Sequence, residues 1–188
     1  STVYVEAGTY VDPINIASKS VTILGADKNT VIIQPTTTLC WDVSTYACTR
    51  QAAIRVVNST NVVLEHLTLD MNIIKGANIM GLLYWDSTGT LHDNILKNAS
   101  IPDANSGGLS EIVSYFRAPS YTDAARAVVN ITNNTFAETG RVAIVTHDFL
   151  HAVISGNTFY KTTDDFGYAM EIGSESTAVV TGNTIYGY

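Results

Sequence analysis

The chain has 188 residues, 46% of them apolar and 14% charged, with a net charge of −7. That balance excludes an intrinsically disordered chain, and 10 Lys and Arg against 17 Asp and Glu argue against nucleic acid or an anionic membrane as a partner. No run of about 18 apolar residues occurs, so no membrane-spanning helix is expected.

Short extended segments open the chain. Val3 and Val5 alternate with polar or amphipathic neighbours, and Ala7-Gly8-Thr9 makes a turn. Strands are predicted near residues 14–16, 21–24 and 31–33, each bounded by turn-forming residues, as in all-β chains. Nowhere does a 3.6-residue apolar period persist over three turns. Cys40 and Cys48 follow, 48 − 40 = 8 positions apart and flanked by Trp41 and Tyr46. Two readings are open for them: free thiols, or a disulfide across a polar loop with little core of its own. The disulfide would stabilise by roughly 2–3 kcal/mol and would imply an oxidising, extracellular or cell-surface setting. Sequons at Asn58, Asn98, Asn130 and Asn133 are common in a chain this rich in Asn, Ser and Thr.

Nearer the C-terminus one pattern recurs. It reads Ala152-Val153-Ile154-Ser155-Gly156-Asn157-Thr158-Phe159 and Ala178-Val179-Val180-Thr181-Gly182-Asn183-Thr184-Ile185, with a looser copy at Val129-Asn130-Ile131-Thr132-Asn133-Asn134-Thr135-Phe136. Residues five and three before the Asn, and two after it, are apolar and share parity, so they line one face of an extended chain. Asn94, Leu67 and Ala26 fit the same frame. The intervals are 67 − 26 = 41, 94 − 67 = 27, 134 − 94 = 40, 157 − 134 = 23 and 183 − 157 = 26. A period near 25 residues carrying short strands predicts a solenoid whose coils bury their apolar faces only by stacking. Six coils would make a rod of about 30 Å at the spacing of hydrogen-bonded strands.

The copies Val-x-Ile-x-Gly-Asn-Thr-Phe/Ile resemble the coils of right-handed parallel β-helix proteins. The opening Val3–Tyr10 and the segment Val21–Ala26 resemble the first coils of the pectate-lyase-like and pectinesterase-like members. The resemblance covers most of the chain outside residues 34–50 and 99–126. It implies a single β-helix domain over residues 1–188, with Asn94, Asn134, Asn157 and Asn183 as a structural ladder of stacked side chains that Leu67 and Ala26 interrupt. Fold likeness alone does not assign an activity, because function resides in sites grafted on folds.

The two long intervals place insertions at about 34–50 and 99–126, after equivalent strands. Loops leaving one side of a rigid scaffold are where binding residues concentrate. Trp41, Tyr46, Tyr115, Arg117 and Tyr121 in the insertions, with Trp85 and Asp86 nearby, form the candidate ligand-binding set; the alternative is that these aromatics pack on the flank as minor cores. On the strand following the insertions, alternation turns Arg55 and Glu171 outward, close to His147, Asp148, Asp164 and Asp165. These six are the candidate catalytic residues, since a hydrolase needs two placed carboxylates and a lyase a base with cation or Arg assistance. Adjacent strand residues face opposite ways, so neither His147-Asp148 nor Asp164-Asp165 is by itself a paired site. His66 and His92 match no zinc spacing, and no metal centre is expected. No cofactor is expected either, with calcium the exception a lyase would admit. Sequence signatures such as Gly-x-Ser-x-Gly or His-Glu-x-x-His are missing.

Two functions are compatible with these readings. One is an extracellular carbohydrate-active or carbohydrate-binding β-helix protein, a polysaccharide lyase or hydrolase if catalytic, with a polysaccharide or other glycan as partner. The other is a non-catalytic structural or adhesive module that assembles end to end or belongs to a larger surface protein, since the sequence starts and stops on strands without an amphipathic cap.

Overall fold

The computed structural model describes residues 1–40, 48, 50–74, 78–99, 112–118, 122, 125–162 and 167–188, with the backbone alone for 112–115. Among the described residues there is no helix, and three seven-stranded sheets, parallel but for one two-residue strand, run the length of the chain. Sheet A contains Thr2–Val5, Thr22–Gly25, Val62–Glu65, Gly89–His92, Ala127–Thr132, Leu150–Ser155 and Thr177–Thr181. Sheet B contains Gly8–Tyr10, Val31–Ile33, Thr68–Asp70, Ile95–Lys97, Thr135–Ala137, Thr158–Tyr160 and Thr184–Tyr186. Sheet C contains Ile14–Ala17, Gln51–Val57, Ile79–Trp85, Ile112–Ala118, Val142–Asp148 and Tyr168–Ile172, plus Leu39–Cys40, which pairs antiparallel with Gln51–Val57. The chain visits A, B and C in turn, so each circuit adds one strand to every sheet. This is a right-handed parallel β-helix of six full coils, with a seventh represented in sheets A and B.

The register explains why the sequence repeats as it does. Ile23, Leu64, Leu91, Ile131, Ile154 and Val180 stack as one column of sheet A. Leu69, Leu96, Phe136, Phe159 and Ile185 stack in sheet B, where the Phe136 and Phe159 rings lie 4.8 Å apart and nearly parallel. Most of these side chains are fully buried, each burial stabilising by roughly 1.5–3 kcal/mol. Sheet C contributes Ile16, Val56, Tyr84 and Phe116 from its inner face.

The corner between sheets A and B holds the asparagines. Each amide oxygen accepts from the backbone N–H of the residue in the same position one coil earlier, as Asn94 does from Leu67 and Asn134 from Asn94, both at 3.0 Å, and Asn157 from Asn134 at 2.8 Å. The Nδ2 groups of Asn94, Asn134 and Asn157 each donate to the next Asn, and all four donate to a carbonyl of the preceding coil, Leu64, Leu91, Ile131 and Ile154 in order. Asn94, Asn134 and Asn157 are at most 1% exposed, so the ladder satisfies polar groups that water cannot reach. The residue before Leu67 and before each of the four asparagines has positive φ: His66, Asp93, Asn133, Gly156 and Gly182. Gly and Asn meet that requirement with least strain, which accounts for the Gly-Asn and Asn-Asn pairs.

A smaller ladder occupies the corner between sheets C and A. The Ser59 hydroxyl accepts from Lys19 N–H and the Ser87 hydroxyl from Ser59 N–H, both at 3.1 Å. The two long intervals both leave sheet B, after Val31–Ile33 and after Ile95–Lys97. The second is not loop throughout: Ile112–Ala118 within it is the sheet C strand of its coil, paired with Ile79–Trp85 and Val142–Asp148. Of the two readings for the cysteines, the disulfide holds, linking Cys40 and Cys48 with Cα atoms 5.2 Å apart.

Candidate functional site

The outer face of sheet C gathers most of the residues singled out from the sequence. One row across it, in register, is Asn15, Arg55, Leu83, Tyr115, Val145 and Glu171. The next is Val57, Trp85, Arg117 and His147. Arg55 and Glu171 are therefore four strands apart in one row. Arg55 is 8% exposed; its Nε donates to Asn15 Oδ1 at 3.1 Å and its guanidinium to the Cys40 carbonyl at 2.8 Å. It ties the disulfide-closed segment to the sheet. Glu171 pairs with Arg141, 3.6 Å away.

Beside these rows lies a second, small apolar cluster formed by Ala52, Met80, Leu83, Val142 and Val145, with Trp85 packed against it. It belongs to the outer face of the sheet, where alternation alone would put solvent-facing side chains. Its members come from the sheet C strands themselves and not from the insertions.

Trp85 marks the boundary between that cluster and a polar group. The Arg117 guanidinium lies 4.6 Å from the centre of a Trp85 ring and is paired through Nε with the Asp148 carboxylate. His147, the next residue of the row, shares a hydrogen bond between Nδ1 and Ser174 Oγ at 3.0 Å. Asp86 donates its backbone N–H to the Arg117 carbonyl at 2.7 Å. Ser18, Asn58, Asp86, Asp148 and Ser174 all have positive φ and stand at or just after the ends of sheet C strands. Small polar residues suit that conformation. It also breaks strand alternation, and so the Asp148 carboxylate reaches Arg117 on the face to which its neighbour His147 belongs.

Five sequence candidates thus converge: Trp85, Asp86, Arg117, His147 and Asp148. Arg55 and Glu171 share the sheet but not the cluster. Trp41, Tyr46, Tyr121, Asp164 and Asp165 lie outside the described residues, as does the side chain of Tyr115. Ser174 was missed because the sequence offers only an ordinary turn around it. The Ser59–Ser87 ladder had a signal, the repeated triplets Asn58-Ser59-Thr60 and Asp86-Ser87-Thr88.

The chemistry available is a half-buried aromatic surface with a guanidinium fixed above it, flanked by an imidazole, a hydroxyl and two carboxylates. A guanidinium held by both a carboxylate and an indole is oriented before a ligand arrives, which reduces the entropy lost on binding. Asp86, just after the Ile79–Trp85 strand, and Asp148, at the end of Val142–Asp148, are two coils apart, about 10 Å along the axis, and Asp148 is engaged by Arg117. Among the described residues no three His, Cys, Asp or Glu side chains converge as metal ligands would. No helix among them is long and apolar enough to cross a membrane. No protein-family model matches the chain, and neither a curated protein nor a solved structure matches it.

Proposed function

We propose that this β-helix is an extracellular glycan-binding protein and that the outer face of sheet C around Trp85 and Arg117 is its binding surface. The observation that carries the reading is the Trp85–Arg117–Asp148 arrangement. Sugar rings present apolar C–H faces and rims of hydroxyls. An indole supplies the apolar contact and a fixed guanidinium, imidazole and carboxylate supply hydrogen-bond partners. The disulfide supports an oxidising compartment, and the resemblance of the coils to pectate-lyase-like proteins points toward polysaccharide. Binding is favoured over hydrolysis because the Asp148 carboxylate is engaged by Arg117 instead of standing opposite a second carboxylate.

Affinity electrophoresis and calorimetry against a panel of neutral and acidic polysaccharides, with and without calcium, test this. Retardation by at least one glycan is expected. Trp85→Ala should weaken it by roughly tenfold or more, as removal of a binding aromatic does. No retardation by any glycan, or full retention of binding by both Trp85→Ala and Arg117→Ala in folded protein, would overturn the proposal. Release of reducing ends or of unsaturated products by the same samples would replace binding with catalysis.

A further inference from the structure

A cavity of about 310 Å³ lies at the corner of sheets A and B in the first three coils, away from the outer face of sheet C. Val5, Leu24, Gly25 and Ala26 form its floor, and Tyr4, Glu6 and His66 its rim. A Cβ on Gly25 would stand 2.1 Å from the His66 carbonyl oxygen, so the close approach of the neighbouring coil demands glycine there.

The charges around it are unbalanced. Glu6 stands on the rim. Behind it, Glu65 and Asp93 lie 3.7 and 3.4 Å from the His66 imidazole, and Lys28, paired with Asp93, is the one ammonium of the group. Three carboxylates against one ammonium give a negative potential at the mouth. Tyr4 is 75% exposed, and the floor is apolar. A cation is therefore attracted by the carboxylates and by an aromatic face, yet the floor supplies few acceptors to replace the water around a primary ammonium. A cation carrying its own apolar coat matches these features.

We propose that this corner is a binding site for a compact quaternary ammonium group of the trimethylammonium type, with Tyr4 as the aromatic contact and Glu6 as the counter-charge. The cavity volume lies at the small end of the range of ligand sites, in keeping with a headgroup. The trimethylammonium could belong to a small solute or to a lipid headgroup. Phosphate attached to it would meet Glu6 and Glu65, so the free solute is the better fit.

The test is an NMR titration of the full chain with choline, followed through the amides of Gly25, Ala26 and His66. Saturable shifts confined to this corner are expected. The uncharged isostere with tert-butyl in place of trimethylammonium should bind at least about threefold more weakly, the least that an exposed cation–π contact plus a charge contributes. Glu6→Gln and Tyr4→Leu, both at exposed positions, should each weaken choline by about two- to fivefold on the same basis. Phosphocholine binding more weakly than choline fits a solute site; phosphocholine or phosphatidylcholine vesicles binding more tightly overturn the solute assignment. Equal binding of choline and its isostere, unchanged affinity in Glu6→Gln, or no saturable shift at the corner overturns the site itself.

Discussion

Replacing Asn134 by Leu separates the hydrogen bonding of the ladder from its packing. Leu67 already occupies the same column one coil before Asn94, with its backbone N–H donating to Asn94 Oδ1, so the column accommodates a Leu side chain. At position 134 the substitution removes the acceptor of the Asn94 N–H and of one Asn94 Nδ2–H, and the donors to the Leu91 carbonyl and to Asn157 Oδ1. Asn94 is fully buried, so its N–H has no water to turn to, a loss of about 1–3 kcal/mol. The remaining partners add about 0.5–1.5 kcal/mol each, and burial of the new Leu offsets part of the total, leaving a net loss of about 3 kcal/mol. In urea unfolding followed by circular dichroism, that is a midpoint shift of roughly 1.5 M at an m-value of about 2 kcal/mol/M. Asn183→Leu is the control. Asn183 makes the equivalent bonds to Asn157 and to the Ile154 carbonyl but is only partly buried, so water replaces much of what is lost and about 1 kcal/mol is expected. A loss below about 1 kcal/mol for Asn134→Leu, or equal losses at both positions, would refute a ladder that acts by satisfying buried groups.

Two further predictions concern single contacts. Cys40→Ser with Cys48→Ser should lower stability by about 2.5 kcal/mol from the restored freedom of a loop of this length; because Arg55 donates to the Cys40 carbonyl, exchange of the Arg55 guanidinium protons should accelerate, and unchanged exchange would show that the disulfide does not anchor that contact. Tyr84 is fully buried, its hydroxyl donating to the Val62 carbonyl at 3.1 Å, and burial pushes its phenol well above the ordinary value. The protonated form is favoured in the folded state, so this contribution is complete below the unfolded value near pH 10 and is lost as pH rises above it. The unfolding midpoint of the wild type should therefore fall more steeply than that of Tyr84→Phe between pH 9 and pH 11, at the cost of about 1 kcal/mol in the variant at neutral pH; parallel slopes would contradict the assignment.

The coil period and the inward residues were legible because both are local. Alternation with period two sets Ile131, Phe136, Ile154 and Phe159 on one face, and the turn that needs positive φ selects Gly156 and Gly182 within the motif itself. The stretch from 99 to 126 was harder to read. Its sheet C strand, Ile112–Ala118, has a variable length of chain before it, so no constant spacing ties it to the Asn.

The candidate site was legible in composition but not in arrangement. Trp85, Arg117 and His147 are separated by 117 − 85 = 32 and 147 − 117 = 30 positions, and their alignment follows only from the strand register. Alternation also placed Asp148 opposite His147, whereas its left-handed backbone brings it to Arg117. The apolar cluster on the outer face of sheet C needed the same register, since Met80, Leu83, Val142 and Val145 meet only across coils.

By itself the sequence determined the β-helix, its Asn corner and the residues that fill its interior, because each coil repeats the same local physical demands. Tertiary structure decided which outward side chains meet, that Arg55 is tied to the Cys40 carbonyl, and that Tyr4, Glu6 and Gly25 border one cavity. Those outcomes depend on stacking between coils joined by connections of unequal length, and no local pattern encodes that stacking.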